Sequence, residues 1–558
     1  MVEHKATELA KGQRDIGVAE FFARNRHLLG FDNKIKSLMT TIKEAVDNSL
    51  DACEEAEILP EIIVEIIDMG NERFRVIVED NGPGIVKSQI PKIFAKLLYG
   101  SKFHKLKMSR GQQGIGISAS VLYGQLTTGR PAKVISKIGP TEPAHYCEVG
   151  IDTKTNTPKI SKESTIDWPK DHGTRVEIDL EATYQKGMRS VDTYIKQTAI
   201  VNPHVTLIYT NPKAEQFIFP RATDAKPLLA NEIKPHPYGV ELGVLQSMLE
   251  IAKQKSVSTF LQEEFTRVSP GVAKQICQNA SILPTTKPSK ISREQVEALI
   301  KGIKKTKIMS PPTDCIAPIG EDLLVKGMKK EINAEYYAAV SRTPDVYRGN
   351  PFVIEVGVAY GGEQLKDSQA TVMRFANRVP LLYQQGACAT NKGVSSVAWR
   401  NYGLQQSRNA LPVGPITIVI HVASVWVPFT SESKEAIAHY PEILEEMKLA
   451  LQEVGRKLGS YVNKKKRVGV ELKKRSFIQK YMPHISDTLV ELLELDDSKK
   501  AEIEANLNQI LEKDRGKLDK MEFDASKNTE YDAEFASIGA EEKTENDDED
   551  SEKQTTLE

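Results

Sequence analysis

Cysteine is scarce. Cys53, Cys147, Cys277, Cys315 and Cys388 are the only five in 558 residues, and no two form a C-x-x-C pair. An odd, scattered set excludes a disulfide framework and a cysteine zinc site, so the five read as buried or neutral thiols. Long apolar runs are missing too: none approaches the ~20 residues a membrane span requires, and Met1-Val2-Glu3-His4-Lys5 opens no secretory signal. A cytoplasmic protein with no membrane partner is expected. No G-x-x-x-x-G-K-[ST] run occurs anywhere, which excludes a P-loop. Net charge is nearly absent, at −1, but the balance is uneven, because the acidic stretch Glu541 to Glu558 offsets a basic body. From about residue 531 aliphatic periodicity stops, and a disordered, solubilising tail is expected.

What is present begins with ordinary globular composition: 40% hydrophobic and 27% charged residues, in a length that suits three or four domains. Four short stretches then follow one another. In Glu44-Ala45-Val46-Asp47-Asn48-Ser49-Leu50-Asp51-Ala52, the spacing of Glu44, Asn48 and Asp51 places all three on one helix face, able to offer a base and a metal ligand. Asp80-Asn81-Gly82-Pro83-Gly84-Ile85 follows the alternating run Arg73 to Glu79, so Asp80 falls at a strand end, where a lone carboxylate can accept from an adenine amino group. Gly82 and Gly84 leave room for a flat base and its sugar. Gly111-Gln112-Gln113-Gly114-Ile115-Gly116 leaves amides open to wrap phosphate oxygens, and His172-Gly173-Thr174 completes the set.

These four stretches resemble the motifs of the GHKL ATPase superfamily: an E-x-x-x-N box, a D-x-G-x-G box, a G-x-x-G-x-G lid and a Gly-Thr pair behind the adenine. The resemblance implies ATP and Mg²⁺ as ligands. It makes Glu44 the general base, Asn48 the Mg²⁺ ligand, Asp80 the adenine selector and Thr174 its neighbour. Ser101 and Lys102 would open the lid, and the backbone from Gly111 through Ile117 to Ser118 would close it. Where the family's lid commonly ends in lysine, this chain has Ser118.

Strand patterns such as Ile62 to Ile67 and Thr174 to Leu180 surround the motifs, which suggests an α+β sandwich with helices over one sheet face, the Bergerat-type arrangement of that superfamily. Two prolines in Lys234-Pro235-His236-Pro237-Tyr238-Gly239 mark a boundary, and residues 240 to 306 turn helical. Strands return near Ile308. After them a long helix carries Ile443, Met447, Leu451, Val454, Leu458 and Tyr461 on one stripe. That order resembles the topoisomerase VI B-subunit family: an ATPase domain, a helix-two-turns-helix insert and an α/β transducer. Wider runs agree, among them Ala19-Glu20-Phe21-Phe22, Leu98-Tyr99-Gly100-Ser101-Lys102 and Arg374-Phe375-Ala376-Asn377.

The expected division is an exchange arm (1–20), the ATPase domain (21–229), the insert (230–307), the transducer (308–470), a helical extension (471–530) and the acidic tail (531–558). By the same resemblance Lys434, in Ser433-Lys434-Glu435 at the opening of the long helix, is a switch lysine reaching the γ-phosphate. The family assembles as A2B2. The implied partners are a DNA-cleaving topoisomerase VI A subunit, a second copy of this chain joined on ATP binding, and double-stranded DNA, in a nucleoid-associated setting. No Toprim-like E-G-x-S-A and D-x-D pair occurs in the chain, so cleavage falls to the partner. Lys287, Lys290, Arg293, Lys301, Lys304, Lys305 and Lys307 give the insert a cationic edge suited to DNA phosphates. Trp399-Arg400-Asn401-Tyr402 either faces DNA, as a similar family element does, or packs a loop onto the sheet. A MutL-like mismatch-repair clamp, or an ATP-gated clamp without hydrolysis, stands as the alternative.

Overall fold

The computed structural model describes residues 5–11, 13, 15–102, 105–111, 114–431, 433–494 and 496–513. The expected acidic tail lies outside these, as do Gln112 and Gln113 of the lid. The chain divides into two compact units, residues 1–457 and 458–558.

The first unit contains two sheets. Alternation builds the larger one, whose strands are β1 (Glu61–Asp68), β2 (Arg73–Asp80), β3 (Ala132–Lys137), β4 (Ala144–Asp152), β5 (Thr157–Ile166), β6 (Gly173–Glu181), β7 (Thr206–Thr210) and β8 (Gln216–Phe219), in the spatial order β5-β4-β3-β6-β2-β1-β7-β8. Ile62, Val64 and Ile66 of β1 and Val176, Ile178 and Leu180 of β6 turn inward at every second residue. Helices Lys34–Glu55, Ile90–Ala95, Gly116–Thr128 and Val191–Val201 cover that face. The other face carries cross-strand ion pairs: Arg75 lies directly opposite Asp179 and binds it through Nε at 2.7 Å, and Arg175 lies opposite Glu79 at 3.0 Å. In β2 the row Phe74, Val76, Val78 ends in Asp80, so the alternation that makes the core also aims this carboxylate at the helices.

Residues 242–305 form the helical insert, with helices Leu242–Ile251, Val257–Glu264, Pro270–Asn279 and Arg293–Lys305. Ser256, Ser269 and Ser292 cap three of them, the last through a full capping box with Gln295. Their apolar faces meet around Phe260, Phe265, Ile276 and Leu299. Tyr238 stitches the insert's two ends together: its hydroxyl donates to the Thr306 carbonyl at 2.6 Å and accepts from the Ile308 N–H at 3.0 Å.

The smaller sheet comprises β9 (Tyr336–Ser341), β10 (Asp345–Tyr347), β11 (Asn350–Tyr360), β12 (Thr371–Ala376), β13 (Val379–Pro380) and β14 (Ile416–Ser424), ordered β10-β11-β14-β12-β13 with β9 also on β11. Every residue of β14 is buried, as expected of a central strand covered on both faces. The long helix runs from Pro441 to Leu492 without a break at residue 470, and Ile443, Met447, Leu451 and Val454 are buried along its first part. In the second unit this helix is joined by Lys500–Lys513, through a 3.0 Å bond from Ser486 Oγ to Glu504 and an ion pair between Lys500 and Asp487. Near the amino end, helix Val18–Arg24 puts Ala19 into the core beneath the larger sheet. Among the described residues no helix is long and apolar enough to cross a membrane.

Candidate active site

Helix Lys34–Glu55 is the backbone of the site. Asn33 caps it by accepting from the Lys36 N–H at 2.9 Å, and Leu38, Ile42, Val46 and Leu50 anchor it to the sheet. Glu44 and Asn48, on another face, open into a cavity of about 620 Å³. Asp51, expected beside them, does not line it. Its carboxylate instead accepts from Lys102 Nζ at 2.5 Å, Arg110 Nη1 at 3.0 Å and the Gly111 N–H at 3.2 Å, so it ties Lys102, Arg110 and Gly111 to the helix.

Asp80 lies in the cavity wall within a defined cradle. Oδ1 accepts from the backbone N–H of Gly82 (2.9 Å) and of Thr174 (3.1 Å), and Oδ2 from Ser49 Oγ (2.7 Å). A carboxylate offers about four lone-pair sites, so one on Oδ2 is left for an outside donor. Burial raises its pKa, while the three hydrogen bonds oppose that rise. Thr174 and Gly84 also line the cavity, but Gly82 does not; its carbonyl instead contacts His172 Nδ1 at 2.8 Å. Gly84 has φ +73°, and a Cβ there would come within 2.1 Å of the Lys137 carbonyl. Its glycine therefore serves the chain's own packing.

Ser101, Lys102, Gly111, Gly114, Ile115, Gly116 and Ile117 all reach the cavity. Ser118 is buried behind it, its hydroxyl donating to the Ile115 carbonyl at 2.9 Å. The helix that starts at Gly116 presents its amino end, whose first N–H groups have no partner within the helix, to the same space. A Cβ at Gly116 would sit 1.7 Å from Glu44 Oε2, so the carboxylate rests directly over that helix end.

Lys434 reaches the cavity from beyond the second sheet, its Nζ 3.4 Å from the Arg110 carbonyl. It does not open the long helix, as the sequence suggested. It sits in a folded-back loop at φ +53°, and the helix begins at Pro441, because proline suits a first helical turn. Burial pulls the Lys434 ammonium below its ordinary pKa, with Glu44 opposing. At Glu44 burial favours the neutral acid, but Lys43 and Lys434 outweigh it and hold the carboxyl below its ordinary value. Lys43 Nζ binds Glu44 Oε1 at 3.0 Å and Asp47 at 3.4 Å, and Tyr194 donates to Asp47 at 3.0 Å. The result is an ionised, held carboxylate facing the lid.

The histidine kinase-, DNA gyrase B-, and HSP90-like ATPase family model matches residues 33–183, and the model of the topoisomerase VI B-subunit transducer matches residues 311–474. The chain is 55% identical to the type 2 DNA topoisomerase 6 B-subunit of Methanococcoides burtonii and 51% identical to that of Methanosarcina mazei, in each case over 88% of this chain and 79% of the relative. The chain belongs to the type 2 DNA topoisomerase 6 B-subunit family. A solved structure of the gyrase B-subunit from Myxococcus xanthus is similar at 10% identity, covering 79% of this chain and 95% of that one, with a TM-score of 0.40.

Several residues of this family member were not singled out from sequence. Arg110, beside the lid glycine, is buried and holds Glu54 through both guanidinium nitrogens at 2.7 Å, with Asn202 at 2.5 Å. His204 meets the same Glu54 at 2.8 Å. Arg378 approaches Glu54 to 4.0 Å and donates to the Ala317 and Pro318 carbonyls. The position of Arg110 directly before Gly111 was the one available signal; the rest meet only through the tertiary fold. Of the DNA-facing candidates, Trp399 is fully buried and donates from Nε1 to the Val394 carbonyl at 2.8 Å, and Tyr402 packs on Gly455, so this pair packs its loop. Arg400 and the seven cationic residues named along the insert's edge stay exposed. All five cysteines are buried, unpaired thiols.

Proposed function

We propose that this chain binds and hydrolyses ATP as the B-subunit of a type IIB topoisomerase. In this reading it dimerises on ATP to capture a duplex and works with a separate DNA-cleaving A subunit in an A2B2 assembly. The observation that carries the reading is the meeting of Glu44, Asn48, Asp80, the lid glycines and Lys434 around one cavity, from elements nearly 400 residues apart in sequence. Asp80 offers its remaining lone pair to the adenine amino group. Glu44 orients the attacking water and takes its proton, a task for which its anionic state prepares it. Lys434 places a cation where charge builds on the γ-phosphate, and the Gly116 helix end adds its dipole.

Asn48 is exposed to the cavity, and Gly111 comes close to its amide oxygen. Among the described residues no group of three His, Cys, Asp or Glu side chains could hold a metal alone. A single oxygen donor beside a phosphate site suits Mg²⁺, which is commonly held by one or two protein groups together with substrate phosphates. Bound there, Mg²⁺ would neutralise phosphate charge. The expected domain limits, with arm 1–20, ATPase 21–229, insert 230–307 and transducer 308–470, fit this division of labour. The exposed cations of the insert are the proposed phosphate contacts on DNA.

The test is relaxation of supercoiled plasmid by the chain with and without a co-purified cleaving partner, in ATP and Mg²⁺. Relaxation is expected only with both. Relaxation by the chain alone would overturn the proposed division.

A further inference from the structure

The loop that carries Lys434 is a small self-paired structure. The Thr430 N–H donates to the Ala436 carbonyl at 2.9 Å, the Ala438 N–H to the Pro428 carbonyl at 2.8 Å, and Phe429 bridges to Ile437. Lys434 sits near its tip in the left-handed region, its N–H donating to the Ser431 carbonyl at 3.1 Å. Among the described residues the tip belongs to no strand of either sheet. A reacting cation there needs another tether, since an error of about 1 Å in such a group can cost on the order of a hundredfold in rate.

The next residue, Glu435, supplies one. Its carboxylate is buried at 6% exposure, pairs with Lys36 Nζ and accepts from Gln384 Nε2 at 2.6 Å. Lys36 stands in the first turn of the helix that carries Glu44, eight residues earlier and on the same face, so one rigid element bears both the proposed base and the cation that grips the loop. Asp32 at 2.9 Å steadies the Lys36 ammonium, and the Tyr383 ring lies 5.6 Å away. Lys36, Tyr383, Lys434 and Glu435 all line the nucleotide cavity. The pair is largely shielded from water, with side-chain exposures of 12% and 7%, so removing either member strands a buried charge.

We propose that the Lys36–Glu435 pair, with Gln384, is a clamp that positions Lys434 against the phosphate end of the site, making Glu435 a positioning residue for hydrolysis. This rests on the reading of Lys434 given above. The clamp joins the ATPase helix to the transducer loop, so the distance between base and cation depends on whether it is made.

ATP turnover and binding of a non-hydrolysable ATP analogue would be measured on the full chain carrying Glu435→Gln, Lys36→Met, Lys36→Arg, and Lys434→Ala as reference. Glu435→Gln and Lys36→Met are expected to lower kcat by about tenfold to a hundredfold while analogue affinity changes by less than about threefold. Lys36→Arg, which keeps the charge that faces both Asp32 and Glu435, should retain most of the kcat that Lys36→Met loses. Should a buried-site variant fail to fold, Gln384→Ala, at an exposed position, is expected to lower kcat several-fold with the same split. Unchanged kcat in Glu435→Gln or Gln384→Ala, alongside a fall in Lys434→Ala, overturns the clamp and leaves the reading of Lys434 intact. Unchanged kcat in Lys434→Ala overturns that reading itself.

Discussion

The main-chain N–H of Arg378, in the turn between β12 and β13, donates to His421 Nε2 of β14 at 2.9 Å. Because Nε2 accepts, the imidazole proton is on Nδ1, which donates to Glu355 at 2.7 Å. His421 is therefore neutral and fully buried, in line with the downward shift that burial imposes on it against the pull of Glu355. Glu355 in turn accepts from the Ile319 and Gly320 N–H groups at 2.8 and 2.6 Å, at the start of helix Glu321–Glu331. Beside Arg378 lies the Glu54–Arg110 pair, so buried polar groups run from the lid to the transducer sheet.

This fixes a pH dependence. The unfolded chain takes up a proton on His421 as pH falls through its ordinary value of 6.5, and the folded chain does so only at lower pH. Below about 6.5 the unfolded state binds more protons, so this residue's contribution is complete above that pH and is lost as pH falls. Buried His204 acts with the same sign. Urea midpoints should drop from pH 7.5 to 5.5, and His421→Gln should flatten the slope. An equal slope in the variant would remove His421 from the account. His421→Phe, which strands the Arg378 N–H, should cost about 1–3 kcal/mol at pH 7.5.

Glu44→Gln should keep analogue binding while turnover falls by about 10²–10⁴-fold, the usual worth of a placed general base. Single-turnover hydrolysis measures this directly. Survival of turnover would remove Glu44 as the base.

Asp80→Asn should change which purine binds and leave the fold in place. The amide oxygen can keep the Gly82 and Thr174 bonds, and the Ser49 hydroxyl can rotate to accept from the amide nitrogen. An N–H then faces the base where a lone pair did. ATP affinity should weaken by about 10- to 100-fold, and the preference for ATP over GTP should shrink, as read by calorimetric titration. Unaltered selectivity would place adenine recognition elsewhere.

Two glycines should fail in different ways. Alanine at 116 meets the Glu44 side chain from Oε2 back to Cγ rather than backbone, so the carboxylate must swing aside and turnover should collapse, with a smaller loss of stability. Alanine at 84 meets the Lys137 backbone at φ +73° and should unfold more easily, by more than about 1 kcal/mol. Thermal melts paired with ATPase assays separate the two, and equal melting losses would contradict the geometry.

The covalent order of residues was enough to determine the helix that carries Glu44 and Asn48, the strand that ends in Asp80, the helices between 242 and 305 and the long apolar stripe, because each rests on short-range periodicity or on a run of adjacent residues. The partners of each charge were decided by the tertiary structure alone. Asp51 shares a helix face with Glu44, yet Lys102 and Arg110 claim it; a glycine at 84 is required by the nearby Lys137 carbonyl; Lys434, expected to open the long helix, reaches the cavity from a loop seven residues before that helix begins. Glu54, Arg110, Arg378 and His421 come together from four distant segments. Burial is the physical reason: a charge removed from water must find its partner among whatever the folded chain brings near it.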